Sequence, residues 1–150
     1  MDREILFRGK DDNNNWCYGY AIIGKRFKWA SILPIDTIDD APPMFDECEV
    51  ELDTVGQYTG LKDKNGTKIF EGDIVEVWQR NCYKMDEKKY KAVVEFGNPN
   101  CTYDWGWQLK FLEHFIYNKS ILLWVEMQDV GVYCEVIGNI HDNPELLEGL

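Results

Sequence analysis

The sequence predicts a mainly β protein, built of many short antiparallel strands with minor helical turns. Three observations carry that expectation. Apolar and polar residues alternate with period two in several runs, most cleanly over residues 105–111. Aromatic residues make up 14% of the chain, with six Trp, eight Tyr and seven Phe, and such rings favour pleated, half-buried strands. Glycine and Asn-Gly punctuation recurs between the runs, where the backbone must reverse.

Taken in order, residues 4–8 read as a short strand and residues 9–15 as a polar loop. Residues 16–23 resume as a strand, in which Gly19 suggests a bulge or a close backbone approach. Gly24 and Lys25 turn the chain into a strand over residues 27–33, with Phe27, Trp29 and Ser31 on one face. Residues 34–47 hold Pro34, Pro42 and Pro43 among clustered acids, a composition that predicts a loop or a short 3₁₀ turn. Residues 49–52 alternate again and lead into the most heavily punctuated stretch, residues 54–75. Within it, Gly56 and Gly60 bend the backbone on either side of Tyr58. Asn65-Gly66 predicts a two-residue type I′ hairpin turn, which needs positive φ at both positions. Residues 68–70 pair back across that turn, Gly72 permits a second bend, and residues 73–78 set off as a strand with Val75 and Val77 on one face.

Residues 80–89 are polar and basic, a connection to a strand over residues 90–96, and Gly97-Asn98-Pro99-Asn100 is a turn by composition. Trp105, Trp107, Leu109 and Phe111 share one side of the next strand, a face that belongs in a core or against another subunit. Residues 111–127 read as a helical turn followed by a buried strand over residues 121–125. Residues 130–137 form the last strand, ended by Gly138. Asn143 as N-cap with Pro144 at the first helical position begins a closing helical turn. The whole fits a single domain over residues 1–150, long enough to bury a core.

Net charge is −11, unevenly spread. Asp36, Asp39, Asp40, Asp46, Glu47, Glu49, Glu51 and Asp53 lie in a stretch with no Lys or Arg between Lys28 and Lys62. After Lys119 the tail carries only acids: Glu126, Asp129, Glu135, Asp142, Glu145 and Glu148. Such a field repels phosphate backbones and disfavours direct nucleic-acid binding. The basic groups Lys62, Lys64, Lys68 and Lys84, Lys88, Lys89, Lys91 read as solvated hairpin tips. Five cysteines without a CxxC pair, behind an N-terminus lacking an apolar leader, predict reduced thiols in a cytoplasm. The longest apolar patch, residues 121–125, is strand-length, so no membrane span is expected.

A search for chemistry returns little. Neither His114 nor His141 has a cysteine within three residues, so zinc-ligand spacing is missing. Asp39-Asp40 and Asp46-Glu47-Cys48-Glu49 offer oxygen ligands for Ca²⁺ without EF-hand spacing, and read as a solvated loop. No phosphate-cradling glycine motif occurs. Cys17, Cys82 and Cys134 sit within or beside apolar runs, as buried and inert thiols do. Trp105, Trp107 and Phe111 offer a stacking platform for bases, set against a core or subunit interface. No catalytic, cofactor-binding or metal-ligating residue is assigned, and no cofactor is implied.

Several separated segments resemble one family, the YopX proteins of phages and prophages. They are the opening residues 3–10 with 16–20, the glycine-punctuated residues 54–75, and the ending, residues 134–147. Residues 81–131 look divergent. The resemblance implies a phage or prophage origin, hence a bacterial host cytoplasm, a mainly β YopX-like fold and homo-oligomers, and it brings no site residues with it. Residues 71–77 also look like the strand entry of small SH3-like barrels, an analogy of fold alone. The leading functional expectation is a non-catalytic, self-associating module that binds a host or phage protein. The alternatives are an acidic nucleic-acid-mimicking decoy of a host DNA-binding protein, and a cysteine-dependent enzyme.

Overall fold

The alternating runs become paired strands. The computed structural model describes residues 4–34, 47–80, 88–97, 105–113, 120, 125 and 131–148. They hold ten strands and two 3₁₀ turns, every register antiparallel, in two units that divide between Gly60 and Leu61. No helix among the described residues is long and apolar enough to cross a membrane.

In the first unit the hydrogen-bonded order is β4-β3-β2-β1-β5, with β1 Phe7–Lys10, β2 Trp16–Gly24, β3 Trp29–Pro34, β4 Cys48–Val50 and β5 Gly56–Lys62, whose last two residues already belong to the second unit. Alternation selects the core: Ala30, Ile32 and Val50 are buried, with Phe7, Cys17, Ala21 and Cys48 packed around them. The β1–β2 hairpin closes through Asp11, whose Oδ1 accepts the backbone N–H of Asn13 and of Asn15, both at 2.9 Å. The ends of β1 and β4 also meet, although β2 and β3 separate them in the sheet. Glu51 N–H donates to the Lys10 carbonyl at 2.8 Å, and Lys10 N–H donates to Thr54 Oγ1 at 2.8 Å. The sheet therefore curls, but no ladder among the described residues closes it into a barrel.

The second unit holds β6 Lys68–Phe70, β7 Asp73–Gln79, β8 Tyr90–Gly97, β9 Gly106–Phe111 and β10 Val132–Asn139, four of them in the order β10-β7-β8-β9. Its core is Ile69, Val75, Val77, Ala92, Val94, Leu109 and Cys134. The residues that punctuate the sequence close its turns with side-chain caps. Asp63 Oδ1 accepts from Asn65 N–H and Thr67 N–H at 2.9 Å, while its Oδ2 accepts Val136 N–H of β10 at 2.9 Å. Asp73 Oδ2 accepts Phe70 N–H at 2.7 Å. Asn139 Oδ1 accepts His141 N–H and Asp142 N–H at 3.0 and 2.9 Å.

Several sequence expectations need correction. β1 begins at Phe7 and ends at Lys10 instead of covering residues 4–8. Gly56 is no bend; it pairs with Arg8 as ordinary strand. Asn65 does not take positive φ, so the β5–β6 connection is a three-residue loop with Gly66 alone at φ +80°, bounded by Asp63 N–H donating to the Thr67 carbonyl. The Asp63 carboxylate supplies the turn's remaining acceptors, which removes the need for a type I′ turn. Phe27 lies in the β2–β3 turn, with Lys28 at φ +52°, so it does not share the Trp29 face. Gly138 sits inside β10 at a register shift and does not end it. Asn143 makes no side-chain cap; its Oδ1 accepts Asn139 N–H at 3.3 Å instead. Of the strand expected over residues 121–125, Val125 alone is described, and it is helical. Of the loop expected over residues 34–47, Pro34 is the last residue of β3, and residues 35–46 lie outside the described residues.

Gly19 bears out the expected close approach: a Cβ there would strike the Leu33 carbonyl oxygen on β3. Gly66, by contrast, has open space around it and only its φ to satisfy. Gly19→Ala should cost about 2–3 kcal/mol, because backbone meets backbone. Gly66→Ala should cost about 1 kcal/mol, the left-handed penalty. Urea unfolding measures both, and equal losses would contradict the close-approach account.

Candidate functional site

A strand with one solvated face alternates apolar with polar residues. β2 does not: Cys17 and Ala21 face the core, while Tyr18, Tyr20 and Ile22 occupy the opposite face. Register places Trp29 of β3 beside them, since Trp29 pairs with Gly24 and its ring lies where a Gly24 side chain would be. Tyr18, Tyr20, Ile22 and Trp29 are 46%, 44%, 39% and 40% exposed, and Ile23 and Phe27 at the hairpin end are exposed as well. The result is an apolar, aromatic sheet face next to solvent. Toward β1 the same face turns cationic: the Arg8 guanidinium lies 4.4 Å and the Lys10 ammonium 5.2 Å from the Trp16 ring centroid. The signal was available in the sequence as apolar residues at both parities of residues 17–23, which the reading of that strand left unassigned.

The aromatic face read from β9 is mostly core. Leu109 is fully buried, and Trp107 and Phe111 pack against the second unit's core. Trp105 precedes the strand and is 78% exposed. Phe96, opposite Trp107, meets it edge-on at 4.9 Å. The lysines at the hairpin ends also have tasks. Lys64 and Lys89 lie 5.4 and 4.4 Å from the Trp78 ring centroid, and Tyr133 of β10 stacks on Trp78 at 5.5 Å.

The cysteines do not stand as five reduced thiols. Cys17 and Cys48 form a disulfide, bringing together β2 and β4 with Cα atoms 6.7 Å apart. The expectation failed because nothing in the sequence separation of 31 residues reveals that the sheet curls. Cys134 is a buried free thiol, pushed up to about 12 by burial and then by Asp63, Asp73 and Glu135. That environment makes it inert, as expected. Cys82, Cys101 and His114 lie outside the described residues. His141 sits in the turn after β10, where its backbone N–H donates to Asn139 Oδ1. Of the clustered acids, Glu47, Glu49, Glu51 and Asp53 are exposed; Asp36, Asp39, Asp40 and Asp46 lie outside the described residues.

One carboxylate is electrostatically disfavoured. Glu71, in the turn before β7, is held above its ordinary value by partial burial and by the nearby Glu95. The folded state therefore favours its protonated form. Its contribution to stability is full below the ordinary glutamate value of about 4.3 and is lost as pH rises through the elevated folded value. Glu71→Gln, an isostere of the neutral acid, should melt higher than the parent at pH 7, with the gap closing as pH falls toward 4 (roughly the ordinary glutamate range). A gap independent of pH in calorimetric scans would contradict this.

Three comparisons bear on this geometry. A family model described as YopX protein matches residues 6–148. A solved structure, the crystal structure of protein EF1440 from Enterococcus faecalis, is similar in fold with a TM-score of 0.51. The two share 23% identity, over 98% of this chain and 100% of that one. No curated protein matches the chain.

Proposed function

The chain belongs to the YopX family, and from that premise we propose that it is a non-catalytic module that self-associates and binds a host or phage protein. The observation that carries the proposal is the exposed face of Tyr18, Tyr20, Ile22 and Trp29. Its reverse side already packs on the core of the first unit, and on the outer face the rings of β2 and Trp29 stay exposed while Arg8 and Lys10 toward β1 are buried. Covering such a surface gains roughly 25 cal/mol per Å² of apolar area, and rigid aromatics do so at low entropic cost. A second copy of the chain is the first occupant we propose; a partner protein would use the same rings.

The proposal treats residues 1–150 as one functional domain, since the family match runs through both units. It includes a barrel-like closure of the first sheet, while the SH3-like analogy belongs to residues 71–77 at the entry to β7. Two observations support that closure: the hydrogen bond from Glu51 N–H to the Lys10 carbonyl, and the Cys17–Cys48 approach across β3. A phage or prophage origin and action in the host cytoplasm remain part of the proposal, carried by the family resemblance.

Light scattering or sedimentation on the purified chain tests the central point. At micromolar concentration the mass should exceed the 17.6 kDa of one chain. Ile22→Lys with Tyr20→Ser should return it to that monomer mass while leaving the β circular dichroism unchanged. A wild-type monomer, or an oligomer indifferent to both substitutions, would overturn the proposal.

A further inference from the structure

We propose that Asp11, Cys17 and Cys48 form a redox-gated site for one thiophilic divalent cation of the zinc type. A carboxylate oxygen of Asp11 and the two Sγ atoms all lie within 4.8 Å of one another. A tetrahedral zinc ion holds thiolate and carboxylate ligands at about 2.0–2.3 Å, which puts neighbouring ligand atoms roughly 3.5–4 Å apart. The three groups come from separate places, the turn after β1, the start of β2 and β4, and the curl of the sheet makes them converge. Asp11 is already oriented, because its Oδ1 accepts the Asn13 and Asn15 amides and the turn fixes the carboxylate. All three residues are half-buried, so a fourth coordination position can be taken by water.

The gate is the Cys17–Cys48 bond itself. A low-molecular-weight thiol reduces it by exchange: two thiol molecules give up two electrons and two protons and leave as their own disulfide, while Cys17 and Cys48 become thiols. The cation then displaces both thiol protons and is held by two thiolates and the carboxylate, releasing two protons per ion. In an oxidising setting the strands are bridged by sulfur; in a reducing one they are bridged by metal. The same two strands stay clamped in either case.

The test uses the full chain, reduced with a phosphine that carries no thiol, under anaerobic titration with Co²⁺ and then Zn²⁺. The reduced protein should take up one equivalent of Co²⁺ with a thiolate-to-metal charge-transfer band, and Zn²⁺ should abolish that band. The oxidised protein, folded with its disulfide intact, should show no band, a control that needs no mutation. Cys17→Ser and Cys48→Ser should each remove the band, and Cys82→Ser and Cys101→Ser should leave it. Asp11→Asn keeps an oxygen for the turn amides but loses the charge, and should weaken binding by about tenfold or more. No band in the reduced protein, an undiminished band in Cys17→Ser, or wild-type affinity in Asp11→Asn would each overturn the proposal.

Discussion

The edge of the second unit depends on the buried carboxylate of Asp63. Asp63 is 5% exposed and accepts three backbone N–H groups, two from its own turn and one from β10. An ionised carboxylate taken out of water costs several kcal/mol unless its lone pairs are met, and here three amides meet them. The next residue completes the arrangement, because Lys64 N–H donates to the Cys134 carbonyl at 3.0 Å. β10 lies at the edge of its sheet, beside β7, and Cys134 and Val136 turn their free polar groups to the same outer side. Residues 63 and 64 therefore cap that edge as a short strand would, with a side-chain oxygen standing where a strand carbonyl would be. One turn is closed and one edge is covered by the same group.

That arrangement explains what kind of information the glycine-punctuated stretch carries. Asp63, Gly66, Gly72 and Asp73 each satisfy a backbone demand, and Asn139 does the same after β10. Residues this distinctive would pass for a site if judged by pattern alone. Their oxygens are spent on amides within the unit. The groups open to other molecules are elsewhere, on the outer face of β2 and β3 and around Asp11, Cys17 and Cys48.

How much of this was readable follows from the range of each interaction. β7, β8 and β9 were legible because alternation and β-branched residues are local, and Gly19 because a glycine inside an aromatic strand has few other reasons to exist. The Asn65-Gly66 turn was placed correctly but given the wrong geometry, since the acceptor that decides it, the Asp63 carboxylate, was given no role in the sequence reading. The Cys17–Cys48 pairing and the junction of Glu51 with Lys10 depend on how the sheet curls, which no local pattern encodes. The β2 face was visible as composition but ambiguous in direction until register fixed which residues point inward.

Amide hydrogen exchange at Val136, compared between the native chain and Asp63→Asn, tests the edge-capping role most directly. The isosteric amide can keep one oxygen for the Asn65 and Thr67 N–H groups, but it turns an NH₂ toward Val136, where an acceptor is required. The account predicts that Val136 exchanges slowly in the native protein and faster by about tenfold or more in Asp63→Asn, the equivalent of roughly 1.4 kcal/mol or more, while amides of β8 hold their protection. Unchanged exchange at Val136 would mean that β10 is secured without the carboxylate, contrary to the account.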